Sequence, residues 1–161
     1  MAKSAEGHEI QDIRERILGA ERFDTAFREY IAAWAFKSPR PWDFFRAMEN
    51  AAGADLSWFW RGWFYETGVL DQAVTGVTDT KDGQKIDFEN RAQLVMPLEY
   101  RLTFDDGTTE VRRAPAEVWS YSNHWTDRVD VAGKHVVEVV VDPDEALPDA
   151  VAENNTWRRG K

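Results

Sequence analysis

The sequence predicts an α+β protein in which a segment of about four short helices precedes an antiparallel β-sandwich of about seven strands. Apolar residues recur at helical spacing up to about residue 70 and at a spacing of two beyond it. Turn-forming residues separate the short strand candidates of the second half, which favours a sandwich over a barrel. We therefore expect two domains, residues 1–70 and 71–161.

Four helices are predicted in the first half. Two prolines interrupt helical geometry at residues 37–41, and Pro41 suits the first position of the third helix. Gly53 is expected to end that helix, and Asp55 to be the N-cap of the fourth. The apolar stripes of the four helices are Ile10, Ile13 and Ile17; Phe23, Phe27, Tyr30, Ile31 and Trp34; Phe45, Met48 and Ala52; and Leu56, Phe59, Trp60, Trp63 and Phe64.

The strongest strand signal is the alternation of apolar residues over 94–104, which leads into a hairpin turn at 105–107. The polar and aromatic segment 121–127 is expected to link strands rather than to form one. His135 is expected at the start of a strand. The remaining strands are predicted over 73–78, 85–90, 109–113, 117–122, 128–131 and 135–141.

Composition and charge exclude several classes of protein. The chain is 43% hydrophobic and 13% aromatic, which is enough for a packed core. Its net charge of −9 would repel a polyanion, so nucleic acid is not expected as a partner. Without cysteine there is no disulfide, thiolate catalysis or Cys-ligated zinc. No membrane span and no signal peptide are recognised, and the compartment stays open.

The sequence offers no catalytic zinc site. In a zinc-binding HExxH helix two histidines one turn apart hold the metal and the glutamate is the general base. The nearest approach is residues 8–12, where Asp12 replaces the second histidine that would follow His8. We expect this segment to be a solvated first helical turn, and we expect no cofactor in this chain.

A small hydrolase is a weaker alternative. Ser122, His124 and Asp127 carry the right groups for a triad, but such groups usually come together from distant parts of a chain. The acidic pairs Asp105/Asp106 and Asp142/Asp144 stand beside glycine and proline, where aspartate is favoured in turns.

Two tryptophans are candidates for contact with a partner or ligand. Trp60 and Trp63 fall on the apolar stripe of the fourth helix and are expected in the core. Trp58 falls off that stripe, and Trp125 lies in the polar segment 121–127. A free-standing sandwich that binds a peptide or a glycan through such tryptophans is therefore a second alternative.

Two ordered sets of residues can be compared with a known family. The first half contains Phe27, Tyr30, Trp34, Phe36, Lys37, Pro39, Pro41, Asp43, Phe44, Phe45, Gly53, Asp55, Leu56, Phe59, Trp63, Gly68 and Asp71 in this order. The second half contains Met96-Pro97-Leu98, the Asp106-Gly107 hairpin, a strand bearing Trp119, Asp142-Pro143, and Asn154, Asn155 and Trp157. The first set resembles the segment that closes the catalytic region of aminopeptidase N-type zinc metallopeptidases, which are gluzincins. The second set resembles the sandwich that follows this segment in many bacterial members.

The resemblance implies a structural role. HExxH, the third zinc ligand, the exopeptidase motif and the N-terminal β-domain of the family are absent from these residues, so no catalytic or metal-binding residue can be carried over. Zinc is implied only for the parent enzyme. The chain is thus expected to be a non-catalytic C-terminal fragment that supports the catalytic subdomain and substrate access. Its expected partner is that catalytic region, and exposed helical surface is expected to cause self-association.

Overall fold

The computed structural model describes residues 13–66, 68–130 and 133–160. The fold is α+β: helices come first and are followed by seven strands in two antiparallel sheets, as the sequence predicts. The chain divides into two compact units, Met1–Glu66 and Thr67–Lys161. None of the described helices combines the length and the apolar character that crossing a bilayer requires.

Three α-helices lie in the described part of the helical unit. They are α1 (Ala20–Trp34), α2 (Pro41–Ala52) and α3 (Ser57–Trp60). A π-helical turn, Ile13–Ile17, precedes α1, and a second, Arg61–Tyr65, continues α3. The first predicted helix also contained Ile10, which lies outside the described residues.

Local sequence signals set both ends of α2. Pro41 is its first residue, and the Asp43 carboxylate accepts the backbone N–H of Arg40 at 2.9 Å. Gly53 ends the helix in the left-handed region at φ 63°. The prediction of Asp55 as the N-cap of α3 was wrong by one residue, since Leu56 holds that position. Asp55 nevertheless accepts the N–H of Ser57 at 2.8 Å, so it supplies the expected capping contact.

A strained residue ends α1. Phe36 has φ 62°, a region that costs an L-residue about 1–2 kcal/mol and that glycine adopts freely. The turn is closed on either side of it, because Ala35 N–H donates to Ile31 at 2.8 Å and Lys37 N–H donates to Trp34 at 2.9 Å. The Phe36 side chain is fully exposed. The backbone strain at Phe36 is therefore not offset by packing of its side chain.

The second unit is a β-sandwich. One sheet has the order β1-β2-β5 and the other the order β4-β3-β6-β7. Between them lies a core that contains Ile86, Phe88, Leu98, Tyr100 and Val139. The strands are β1 (Gln72–Thr80), β2 (Gly83–Asn90), β3 (Leu98–Phe104), β4 (Thr109–Ala114), β5 (His124–Val129), β6 (Val136–Val141) and β7 (Thr156–Arg158).

The predicted strand over 94–104 is too long, because β3 begins only at Leu98. Residues 94–97 keep the alternating burial but connect one sheet to the other. Pro97 has no N–H to donate to a strand partner. Side chains bond the carbonyls of this segment instead: Asn90 donates to Leu94 at 3.0 Å, and Gln72 and Trp119 donate to Met96 at 2.9 and 3.0 Å.

The strand predicted over 117–122 was wrong, and the one predicted over 128–131 exists with different bounds, although residue 131 lies outside the described residues. Within 117–122 the chain forms a 3-10 helix, Ala116–Trp119, which aims the indole N–H of Trp119 at the Met96 carbonyl. The strand expected over 128–131 is β5, which begins already at His124 inside the segment expected to be a link. Strand β7 was not predicted, since three residues are too few to show a period.

Side chains join the two sheets at both open sides of the sandwich. At one side the Tyr100 hydroxyl and Arg112 both donate to Asp127, at 2.6 and 2.9 Å. Burial, together with the hydrogen bond to Asp127, raises the pKa of Tyr100 far above its usual value. At the other side Arg159 donates to both oxygens of Asp79, at 2.9 and 3.2 Å. These contacts connect edge strands that share no backbone pairing.

Phe36, after the end of α1, and Gly53, after the end of α2, both have a positive φ. Substitutions at these two residues are expected to change the stability in opposite directions. We expect Phe36→Gly to raise the free energy of unfolding by about 0.5–1 kcal/mol, because it removes backbone strain without removing contacts. Gly53→Ala is the matched control and is expected to lower it by about 1 kcal/mol, since a Cβ there meets no atom but the φ stays strained. Chemical denaturation followed by the helical circular dichroism signal measures both. A loss of stability in Phe36→Gly would contradict this account.

Asp79 predicts an acid-sensitive contribution to the stability of the sandwich. Hydrogen bonds from Arg159 and then from Gln84 lower the pKa of Asp79 from 3.8 to about 2. The stabilisation is therefore present above the unfolded-state value of 3.8 and is lost as the pH falls through about 2. We expect the melting temperatures of the original chain and Asp79→Asn to differ above pH 4 and to converge near pH 2. Asp82→Asn, in the adjoining hairpin turn, is the control, because Arg159 bonds the carboxylate of Asp79; an equal effect of the two substitutions would contradict the account.

Candidate functional site

A continuous cluster of aromatic rings holds the helical unit together. Phe45 of α2 stacks on Trp60 of α3 with 4.3 Å between ring centroids, and Phe59 stacks on Trp63 at 5.7 Å. Phe44 meets Tyr30 of α1 edge-on at 5.4 Å. Such pairs contribute about 0.5–1.5 kcal/mol each beyond the area they bury. The cluster therefore links all three helices.

The outer members of this cluster are open to solvent. Phe27, Phe64 and Tyr65 are 38%, 43% and 65% exposed, although each contacts a buried ring of the cluster. Ile31, one turn after Phe27 on α1, is 51% exposed. We call these four residues the open aromatic surface. It consists of apolar groups that the described chain leaves uncovered, and it is the best candidate for contact with another polypeptide.

Sequence analysis assigned three of these residues to core-facing stripes and did not consider Tyr65. The periodicity was correct, since Phe23 on the same stripe is buried and Tyr30 and Trp34 are half-buried. A period indicates which face of a helix is apolar, but not whether the chain contains enough structure to cover that face. Only the exposure of each residue in the folded unit shows whether an apolar face is covered or open.

The three tryptophans of α3 and its π-helical extension lie in different environments. Trp60 is buried and donates its indole N–H to Glu49 at 3.0 Å. Trp63 is half-buried, and its buried indole nitrogen has no hydrogen-bond partner within the described part of the chain. Trp58 is half-buried and meets Phe59 edge-on at 5.8 Å. A contact between Trp58 and something outside the helical unit is not tested by the structure and remains a prediction.

Trp125 lies on the inward-facing side of edge strand β5. It is half-buried, stacks on Phe88 at 5.7 Å and meets Tyr100 at 6.4 Å, so most of its contacts are with the sandwich core. Asp127, the next inward residue of β5, bonds Tyr100 and Arg112. A ligand role for Trp125 remains a prediction.

The three residues considered for a hydrolase do not form a triad. His124 and Asp127 lie on opposite faces of β5, because side chains alternate along a strand. The Ser122 hydroxyl accepts the backbone N–H of His124 at 3.0 Å, and the exposed His124 ring lies 3.5 Å from Glu89. This arrangement gives the serine no base.

The described residues do not fit a catalytic zinc ion. Such an ion needs three protein ligands, and nowhere in residues 13–66, 68–130 or 133–160 do three His, Asp or Glu side chains come together in that way. His135 Nδ1 lies 4.0 Å from Asp79, which is already bonded to Arg159. His8 and Asp12 lie outside the described residues.

One aspartate of each acidic pair, Asp106 and Asp142, bonds a backbone group of its own turn. Asp106 accepts the backbone N–H of Thr108 at 2.9 Å and pairs with Lys134 at 2.6 Å. Lys134 and Thr108 lower the pKa of Asp106 to about 2. Asp142 accepts the N–H of Leu147 at 2.7 Å. These contacts agree with the turn roles that the sequence predicts.

A scan against protein-family models and a search of curated proteins found no match. Thirteen chains among the solved structures do match. One is Legionella pneumophila aminopeptidase A in complex with aspartic acid, to which this chain is similar with a TM-score of 0.63 and 14% sequence identity. The similarity covers 88% of this chain but only 16% of that chain. At this identity it is a likeness of fold.

The open aromatic surface predicts self-association of the isolated chain. Replacing two of its most exposed members, Ile31→Ser with Tyr65→Ser, should weaken association about tenfold, because less apolar area is removed from water. Val111→Ser is the matched control, since Val111 is 59% exposed but lies on β4 of the sandwich. Sedimentation velocity over a range of concentrations measures the effect. If the unsubstituted chain is strictly monomeric, or if Val111→Ser weakens association equally, the open aromatic surface is not the site of self-association.

Proposed function

We propose that this chain is a non-catalytic C-terminal segment of a zinc-dependent, aminopeptidase-like metallopeptidase of the gluzincin type. In this role the helical unit packs against the catalytic subdomain and supports it, and the sandwich borders the path by which substrate enters. The zinc ion and the catalytic residues belong to the preceding part of the parent enzyme.

The observation that carries the proposal is the likeness to aminopeptidase A. It spans both the helices and the sandwich, since it covers 88% of this chain, and it corresponds to 16% of a much larger enzyme. A match of nearly a whole chain to a small part of an enzyme favours a supporting segment. The ordered aromatic, proline and glycine positions of the first half favour the same family independently.

The open aromatic surface supports the proposal on physical grounds. A unit that evolved to be covered by a neighbouring domain is expected to keep apolar groups where that neighbour packs. Phe27 and Phe64 extend a buried ring cluster to the surface, so a domain that covers them would continue the same packing. In this proposal the open aromatic surface is the contact with the catalytic region.

Activity measurements test the assignment directly. The purified chain is expected to release no N-terminal residue from a peptide amide, with or without added zinc, because its described side chains cannot hold and activate the metal. A polypeptide that also includes the preceding catalytic region should release it, and a chelator should abolish that release. Zinc-dependent release by the 161-residue chain itself would refute the accessory role.

A further inference from the structure

Two hairpin turns of the sandwich contain an aspartate that is directly followed by glycine. Asp82-Gly83 leads from β1 into β2, and Asp106-Gly107 lies between β3 and β4. In such a pair the backbone nitrogen of the glycine can attack the side-chain carboxyl carbon of the aspartate, because glycine has no Cβ and reaches conformations that are closed to other residues. The two turns differ in how the aspartate carboxylate is held.

The Asp106 carboxylate is fixed by its neighbours. It accepts the backbone N–H of Thr108 at 2.9 Å and the Thr108 hydroxyl at 2.6 Å, and it pairs with Lys134 at 2.6 Å. The hydrogen bonds from Lys134 and Thr108 lower the pKa of Asp106 to about 2, so this carboxyl group stays ionised near neutral pH. Attack by the glycine nitrogen expels a carboxyl oxygen as water and therefore needs the protonated group. Asp106 is thus protected by its position and by its charge.

The Asp82 carboxylate has no comparable restraint. Residues 78–82 are all exposed, and within the described ranges no residue forms a hydrogen bond or a salt bridge with the Asp82 side chain. Gly83 and Thr80 form the last pair of the ladder between β1 and β2. The last pair of an exposed hairpin opens at a low cost in free energy. When it opens, the Gly83 nitrogen is released beside an unbonded carboxyl group.

We propose that Asp82 is a site of spontaneous isoaspartate formation in the folded protein. The Gly83 nitrogen bonds to the side-chain carboxyl carbon of Asp82, and the carboxyl hydroxyl leaves with the proton of that nitrogen as water, which gives a succinimide ring. A water molecule then adds to the main-chain carbonyl carbon of Asp82 and breaks its bond to the Gly83 nitrogen. The chain now continues through the side chain with unchanged mass. The modification does not depend on the proposed peptidase role.

Isoaspartate at this position would disturb the contact between the sheets. It places one additional methylene in the backbone before Gly83, where a Cβ would already lie 2.2 Å from the Val129 carbonyl oxygen. The next residue, Gln84, donates to Asp79 at 2.6 Å and accepts the backbone N–H of Val136 from the other sheet at 2.7 Å. A displaced start of β2 strains both bonds. The modified chain is therefore expected to be less stable.

Ageing of the purified chain tests the proposal. After several weeks at physiological temperature and pH the folded chain is digested, and isoaspartate is located by peptide mapping and by labelling with an isoaspartate-specific methyltransferase. It should accumulate at residue 82 and stay at background at residue 106. Asp82→Glu should abolish the signal at residue 82, because the longer side chain has to close a less favourable six-membered ring. Asp106→Glu is the matched control and should leave that signal unchanged.

Three further measurements test the physical cause. In the chain unfolded by guanidinium chloride both aspartates lose their surroundings, so isoaspartate should form at similar rates at residues 82 and 106. In the folded variant Lys134→Ala with Thr108→Ala the Asp106 carboxylate loses two donors, and residue 106 should become reactive. The fraction with isoaspartate at residue 82 should melt at a lower temperature than the unmodified chain. Equal accumulation at both sites of the folded chain, or none at residue 82, overturns the proposal.

Discussion

The aromatic cluster of the helical unit is the constraint on which the interpretation of this protein depends. Three helices, the last only four residues long, are too short to be stable alone and require tertiary packing of their apolar faces. Phe45, Phe59 and Trp60 provide that packing at the centre of the cluster. The same cluster continues outward to rings that nothing in the described unit covers. The helical unit is therefore folded but incompletely enclosed.

The sandwich is more complete in itself. Its alternating strands bury their apolar residues between two sheets. The buried side chains of Gln72, Gln84 and Asn90 are hydrogen-bonded, whereas the buried side-chain oxygens of Asn154 and Asn155 have no partner among the described residues. Gln84 donates to Asp79 and accepts the backbone N–H of Val136 from the facing sheet. Since an unbonded buried polar group costs about 1–3 kcal/mol, such bridges decide how the sheets meet. Among the described residues, the helical unit exposes more large apolar side chains than the sandwich does, and most of them are aromatic.

Local signals were sufficient for much of the fold. Pro41 and Gly53 bound α2 because each acts on its own backbone, and the change of period near residue 70 separated helices from strands. Tertiary partners decided what the sequence did not reveal. Residues 94–97 alternate like a strand but give their carbonyls to Gln72, Asn90 and Trp119, which are distant or unremarkable in sequence. Strand β5 is polar because Asp127 faces Tyr100 and Arg112 at an open edge.

Exposure was the property of the site that the sequence could not supply. The stripe of α1 predicted correctly that Phe23 is buried, but Phe27 and Ile31 on the same stripe are exposed, because a period carries no information on missing neighbours. Trp58 and Trp125 were selected for lying off an apolar stripe or in a polar segment. Both are half-buried, and their contacts with a partner remain to be tested.

Hydrogen–deuterium exchange tests most directly whether the helical unit is completed by a preceding domain. The amides of α1 and of residues 57–65 should exchange faster in the isolated chain than in a polypeptide that includes the preceding region, because covering the open rings stabilises these helices. Exchange in β2 and β3 should be the same in both. Equal protection of the helices in the two polypeptides would contradict the account.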